Sequence, residues 1–89
     1  MKVQYLFYVK TIQNETIELN NTINIKIAQD RGYKFFHAII VINNEQYNIY
    51  NIPFILLTDL TIKKLLVHLV KTIQDNKTNN INYLKWLEG

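Results

Sequence analysis

The run from Lys34 to Ile42, Lys-Phe-Phe-His-Ala-Ile-Ile-Val-Ile, constrains this chain more than any other, because it is apolar on both alternating sides. In a strand, successive side chains point to opposite faces. Phe35, His37, Ile39 and Val41 therefore share one face, and Phe36, Ala38, Ile40 and Ile42 the other. A strand with two apolar faces has to be covered on both. This run is expected to be the central strand of a sheet, and the rest of the chain must supply its neighbours.

Val3, Tyr5, Phe7 and Val9 alternate with Gln4, Leu6, Tyr8 and Lys10, which predicts a first strand with one wholly apolar face. Gln13, Asn14 and Glu15 form a turn of hairpin length. Ile17, Leu19, Ile23, Ile25 and Ile27 then share one parity, which predicts a second strand half exposed to water. Asn21 falls on the apolar parity, so a bulge or break is expected near Asn20 and Asn21, splitting this strand into two short ones. Asp30 to Tyr33 make the next turn, with Gly32 the residue suited to a positive φ. Asn43, Asn44 and Glu45 reverse the chain after the central strand, and a fourth strand runs from Gln46 to about Ile52, where Pro53 removes a backbone donor.

Beyond Pro53 the period changes. Ile62, Leu65, Leu66, Leu69, Val70 and Ile73 recur at helical spacing, with Lys64, His68, Lys71 and Asp75 opposite. Thr61 is suited to the N-cap, Leu60 and Leu65 to a hydrophobic staple, and Asp59 to the positive end of the helix dipole. After a polar connector over Asn76 to Asn80, the residues Ile81, Leu84, Trp86 and Leu87 predict a short terminal helix capped by Asn80. The expected fold is a single α+β domain over residues 1–89. It is a four-stranded antiparallel meander, followed by one amphipathic helix on one face and a short C-terminal helix.

Composition narrows the chemistry. There is no Cys, so disulfides and thiolate zinc sites are ruled out, and no Ser either, which removes the commonest hydroxyl nucleophile. With two Gly there is no dinucleotide-binding or P-loop motif. Neither HxH, HExxH nor a carboxylate cluster is present, so no metal, cofactor or small-molecule ligand is inferred. His37 is the one candidate general base, yet no carboxylate is spaced to orient it, and it is expected to be structural; His68 is expected on a solvated helix stripe. Three Asn-X-Thr matches, at Asn14, Asn20 and Asn76, are what a chain rich in Asn and Thr produces by accident. Met1 leads almost directly into the strand pattern, which argues against a signal peptide, and no apolar run approaches bilayer length. A soluble, cytoplasmic, non-catalytic protein is expected.

Arg31-Gly32-Tyr33-Lys34-Phe35-Phe36 resembles the start of the RNP1 motif of RNA-recognition motifs, with Leu6-Phe7 in the place of RNP2. That resemblance implies strand aromatics stacking on bases. It extends over some eight residues and then departs, because Ala38 stands where a further aromatic belongs. The family's fold also needs a helix between its first two strands, where Ile17 to Ile27 alternates as a strand. A hairpin turn entering a buried strand accounts for the same residues.

The expected function follows from a mismatch. One long helix covers one face of the central strand, so the other must be covered by the segment with Tyr83 and Trp86, by Phe54 to Leu57, or by a second molecule. A protein-binding role is therefore expected, through an apolar and aromatic sheet face or an edge strand, with self-association as a homodimer included. The partner-binding candidates are Leu6, Tyr8, Lys10, Lys26, Arg31, Lys34, Phe36 and Trp86. The alternative is nucleic-acid binding by the open face with Tyr and Lys, favoured by the +3 charge but weakened by having one Arg. A small basic chain rich in Asn, Ile, Lys, Tyr and Phe, residues with AT-rich codons, is the type that phages and mobile elements direct at host machinery.

Overall fold

The computed structural model describes residues 2–58, 61–74 and 78–88, with all their side chains except those of Thr58 and Ile73. The elements are β1 (Val3–Lys10), β2 (Thr16–Glu18), α1 (Thr22–Asp30), β3 (Phe35–Ile42), β4 (Glu45–Pro53), a 3-10 segment (Phe54–Thr58), α2 (Ile62–Ile73), β5 (Asn80–Asn82) and α3 (Tyr83–Glu88). They form an α+β fold around one five-stranded mixed sheet in the order β2-β1-β3-β4-β5. β3 lies at its centre. The sheet is antiparallel except for the β4–β5 pair, and parallel neighbours need a crossover, which α2 supplies.

The expected four-stranded meander is thus corrected in two ways. β2 turns back onto the outer edge of β1, and β3 then pairs with the other edge of β1, Tyr8 opposite His37 and Val3 opposite Ile42. The expected long second strand stops at Glu18, and its second half is α1. The cause lies in the caps. Asn21, at φ −154°, accepts a hydrogen bond from the Asn24 backbone N–H at 2.8 Å, which satisfies one orphan donor of the first helical turn. At the other end Tyr33 N–H donates to the Ala28 carbonyl and Gly32 N–H to the Gln29 carbonyl, with Gly32 at φ +89°. This pair of bonds is a Schellman motif. The break expected at Asn21 is real, but it opens a helix.

Alternation of Ile23, Ile25 and Ile27 has a different meaning on a helix, where alternate residues lie on nearly opposite sides. Ile25 packs against the core beside the buried Ala28, while Ile23 is 72 % exposed and Ile27 also reaches solvent. The helix expected by the RNP1 resemblance is therefore present. The strand after it pairs with β1 directly and β2 occupies the far edge, an arrangement distinct from the βαββαβ order of RNA-recognition motifs.

The core lies on one side of the sheet. Val9, Phe36, Ala38, Ile40, Ile42, Tyr47, Ile49, Ile52 and Ile81 meet Ile62, Leu66, Leu69 and Val70 of α2. Phe36 stacks edge-on against Phe7 at 5.4 Å and Phe54 at 5.7 Å. α2 has the predicted range, with Thr61 at its N-cap position and Lys64, His68 and Lys71 exposed. Gln74, its C-cap, donates to the Tyr47 hydroxyl at 3.0 Å and so ties the helix end to β4. Asp59, Leu60, Asp75 and Asn76 lie outside the described residues, as does the expected staple. The cap of α3 is also corrected: Asn82, not Asn80, accepts from the Leu84 and Lys85 N–H groups, because Asn80 is held in β5.

Candidate functional site: the uncovered sheet face

Register assigns each side chain to a face. Opposite the helices, the sheet presents Gln4, Val41 and Gln46 in one row, and Leu6, Ile39, Asn48 and Asn80 in the next. A third row holds Glu18, Tyr8 and His37. Burial confirms the sidedness: along β3, Phe36, Ala38, Ile40 and Ile42 are buried, whereas His37, Ile39 and Val41 are half-buried and Phe35 is 41 % exposed. A strand covered on both faces would be buried throughout.

Among the described residues, apolar side chains of the segments expected to cover this face pack into the core instead. Phe54 is buried against Phe36, Leu56 and Leu57 pack on the same cluster, and Tyr83 joins it as well. Ile55 points outward at 78 % exposed. Depressions on the open face are lined by the sheet itself: one of about 620 Å³ by Gln4, Tyr5, Leu6, Ile39, Val41 and Gln46.

The third row is shaped by a β-bulge. Between the pairs Phe36–Ile52 and Ala38–Ile49, β3 has His37 alone while β4 has Tyr50 and Asn51, with Asn51 at φ +60°. An extra residue in one strand re-aims its neighbours. Here Tyr50 meets the His37 ring edge-on at 5.1 Å, and Tyr8 lies 5.5 Å from His37 on the other side. The Tyr50 hydroxyl donates to Asn80 Oδ1 at 3.4 Å. Burial pushes the His37 imidazole below its ordinary value, and its Nδ1 is buried with no hydrogen-bond partner among the described residues. Burial, then the nearby Tyr50 phenol, pushes the Tyr8 phenol up. The arrangement is a packed aromatic row.

Of the residues singled out from the sequence, Leu6, Tyr8 and Lys10 come together on this face. Lys34 lines a depression at its upper end with Lys10, Tyr33, Phe35, His37 and Asn51. The others lie elsewhere. Phe36 is fully buried beneath the helices, the wrong parity for a binding residue. Lys26 pairs with Asp30 at 3.7 Å on α1, and Arg31, the C-cap of that helix, lines a depression at the β2 edge with Thr16, Glu18 and Ile27. Trp86 sits on α3, with its ring 6.1 Å from Tyr83. Phe35, His37, Ile39, Val41 and Tyr50 are the apolar and aromatic face residues missing from that set. The signal that finds them is His37 itself, since the parity of β3 that carries an imidazole is the one that avoids a close-packed core.

Among the described residues no group of three His, Asp or Glu side chains is placed to hold a metal ion, and no helix is long and apolar enough to cross a membrane. No protein family, curated protein or solved structure matches the chain.

Proposed function

We propose that this chain is a non-catalytic protein-binding module whose docking surface is the uncovered face of its sheet. The observation that carries this reading is the sidedness of β3: Ile39, Val41 and Phe35 stay partly exposed while Phe54, Leu56, Leu57 and Tyr83 pack with α2 against Phe36 and Ile40. Leu6, Tyr8, His37 and Tyr50 extend the apolar surface across three strands. Such a patch, apolar in the middle and rimmed by amides with Lys2, Lys10, Lys34 and Glu18 at its margins, has the anatomy of a protein interface, where charge is depleted at the centre. Within the strands the face bears one cation, Lys10, and one carboxylate, Glu18.

Cross-linking of the tagged protein in cells, compared between wild type and two variants, tests this. Ile39→Lys places a charge at the centre of the face; Ile23→Lys places one on the exposed side of α1. A cross-linked partner lost with Ile39→Lys and kept with Ile23→Lys supports the reading. Partners retained equally by both variants show that binding uses another surface.

One observation favours nucleic acid as a second reading. Exposed Phe35 stands beside Lys10 and Lys34 around the upper depression, a pairing of ring and cation suited to a single strand. The reading predicts binding to an oligonucleotide that weakens steeply with added salt. It is the weaker of the two, because Lys26 pairs with Asp30 on α1 and Arg31 stands beside Glu18 at the β2 edge, apart from the upper depression.

A further inference from the structure

We infer that the outer edge of β1 takes an extended segment of a partner protein as an added strand, one with apolar side chains at alternate positions and a carboxylate for Lys63. This site is separate from the open face, since it lies at the edge of the sheet beside α2.

Two hydrogen bonds fix which way the backbone of β1 points. On the β3 side the Lys2 carbonyl accepts from Asn43 N–H at 3.5 Å, so the even-numbered residues of β1 direct their N–H and C=O groups toward β3. On the other side the Phe7 carbonyl accepts from Leu19 N–H at 2.8 Å, so the odd-numbered residues direct theirs outward. β2 pairs only with Tyr8, Val9 and Lys10, and Leu19 stands just before the Asn21 cap that turns the chain into α1. The backbone groups of Val3 and Tyr5 therefore face an edge that no described strand occupies. Such a row is a template for a strand from another chain.

The side chains along this edge say what that strand must carry. Tyr5 and Phe7 pack on the core yet stay half-buried, and with Leu19, Ile25, Leu57 and Lys63 they line a depression of about 350 Å³. A strand laid on the edge turns every second side chain toward it, which calls for apolar residues at alternate positions. Residues 3–7 span about 13 Å, room for about five residues of an added strand. Lys63 is the one charged residue lining the depression, its Nζ 5.0 Å from the centre of the Tyr5 ring. The one ion pair among the described residues is elsewhere, on α1. A carboxylate on the occupant complements this cation. β1 has no Asp or Glu, so a second copy pairing β1 to β1 supplies none.

Random peptides displayed on phage and selected on the immobilised full chain supply the probe, and fluorescence anisotropy of the strongest binder measures it. Peptides with alternating apolar residues and an Asp or Glu are expected to enrich. The chemically synthesised chain with an N-methylated Tyr5 loses one outward donor and keeps the side chain. It is expected to bind about tenfold more weakly. Lys63→Glu is expected to lose a similar factor and to regain it when the peptide's acid is replaced by Lys, a swap that remains decisive if the methylated chain does not fold. Ile39→Lys, on the open face, is expected to bind as the wild type does. In amide exchange Val3 and Tyr5 are expected to exchange freely in the free chain and to be protected by the peptide.

A selection that enriches no peptide overturns the inference. So does a peptide whose affinity falls with Ile39→Lys and not with Lys63→Glu, which assigns it to the open face. Protection of Val3 and Tyr5 that grows with protein concentration in the absence of peptide also overturns it, and assigns the edge to a second copy.

Discussion

Ile39 and Ile40 are neighbours in β3 on opposite faces, and truncating each to alanine measures the sidedness of the sheet directly. Ile40 is fully buried beneath α2, so Ile40→Ala loses the transfer free energy of the removed carbons, about 0.8 kcal/mol for each buried CH₂, plus a cavity that close packing cannot fill. About 3 to 4 kcal/mol is expected, within the range of 2 to 5 kcal/mol typical of Ile→Ala in cores. Ile39 is half-buried and opens to water, so its truncation leaves no closed cavity and about half the transfer term, near 1 kcal/mol. A chain of this length has a total stability of about 4 to 13 kcal/mol. Urea unfolding separates the two. With a slope near 1.2 kcal/mol per molar, Ile40→Ala is expected to lower the midpoint by about 3 M and Ile39→Ala by under 1 M. Equal losses would refute the reasoning, since they would mean that both faces are packed within the monomer.

His37 gives a pH dependence with a defined sign. Burial lowers its folded pKa below the ordinary value of about 6.5, so the unfolded chain binds the proton more readily. Its contribution is complete above about pH 7 and is lost as pH falls through 6.5 toward the folded value; His37→Gln is expected to flatten that part of a stability–pH profile. At α1, Asn21→Ala removes the acceptor for the Asn24 N–H and is expected to cost about 1 kcal/mol by thermal unfolding, with Asn21→Ser tolerated. In the β3–β4 hairpin, Asn43 and Asn44 sit at φ +51° and +69° in a two-residue turn. Asn44→Ala is expected to destabilise by about 1 kcal/mol and Asn44→Gly to be neutral or stabilising, because only the side chain's clash in the left-handed region differs; the reverse order in urea midpoints would exclude this turn geometry.

Period and turn chemistry made much of the fold legible. The strict alternation of β1, the double apolar parity of β3, the Asn-Asn reversal and the 3.6-residue spacing of α2 each specify their element locally, and all four stand in the structure. α1 was not legible from period. Its three isoleucines alternate like a strand, and its caps, Asn21 and Gly32, were visible only as a break and a turn. Capping bonds and the burial of Ala28 outweigh a two-residue period here. β5 was hidden for another reason. Three residues, Asn-Ile-Asn, form a strand only because β4 offers an edge, with Ile81 beside Ile49.

The candidate face divides in the same way. By itself the sequence determined that the central strand has two apolar sides, that thiol, phosphate-loop and clustered-metal chemistry lack their residues, and that one helix has a single apolar stripe. Which side that helix takes is not a local property. It depends on how Phe54, Leu56, Leu57, Ala28 and Tyr83 pack together with α2, and they all fill the side of Phe36 and Ile40. Only the tertiary structure therefore decided that Phe36 is core and Phe35 surface, and that Lys26 and Arg31 belong to α1 and its end at the β2 edge. A strand's two faces are equivalent in sequence until something is packed against one of them.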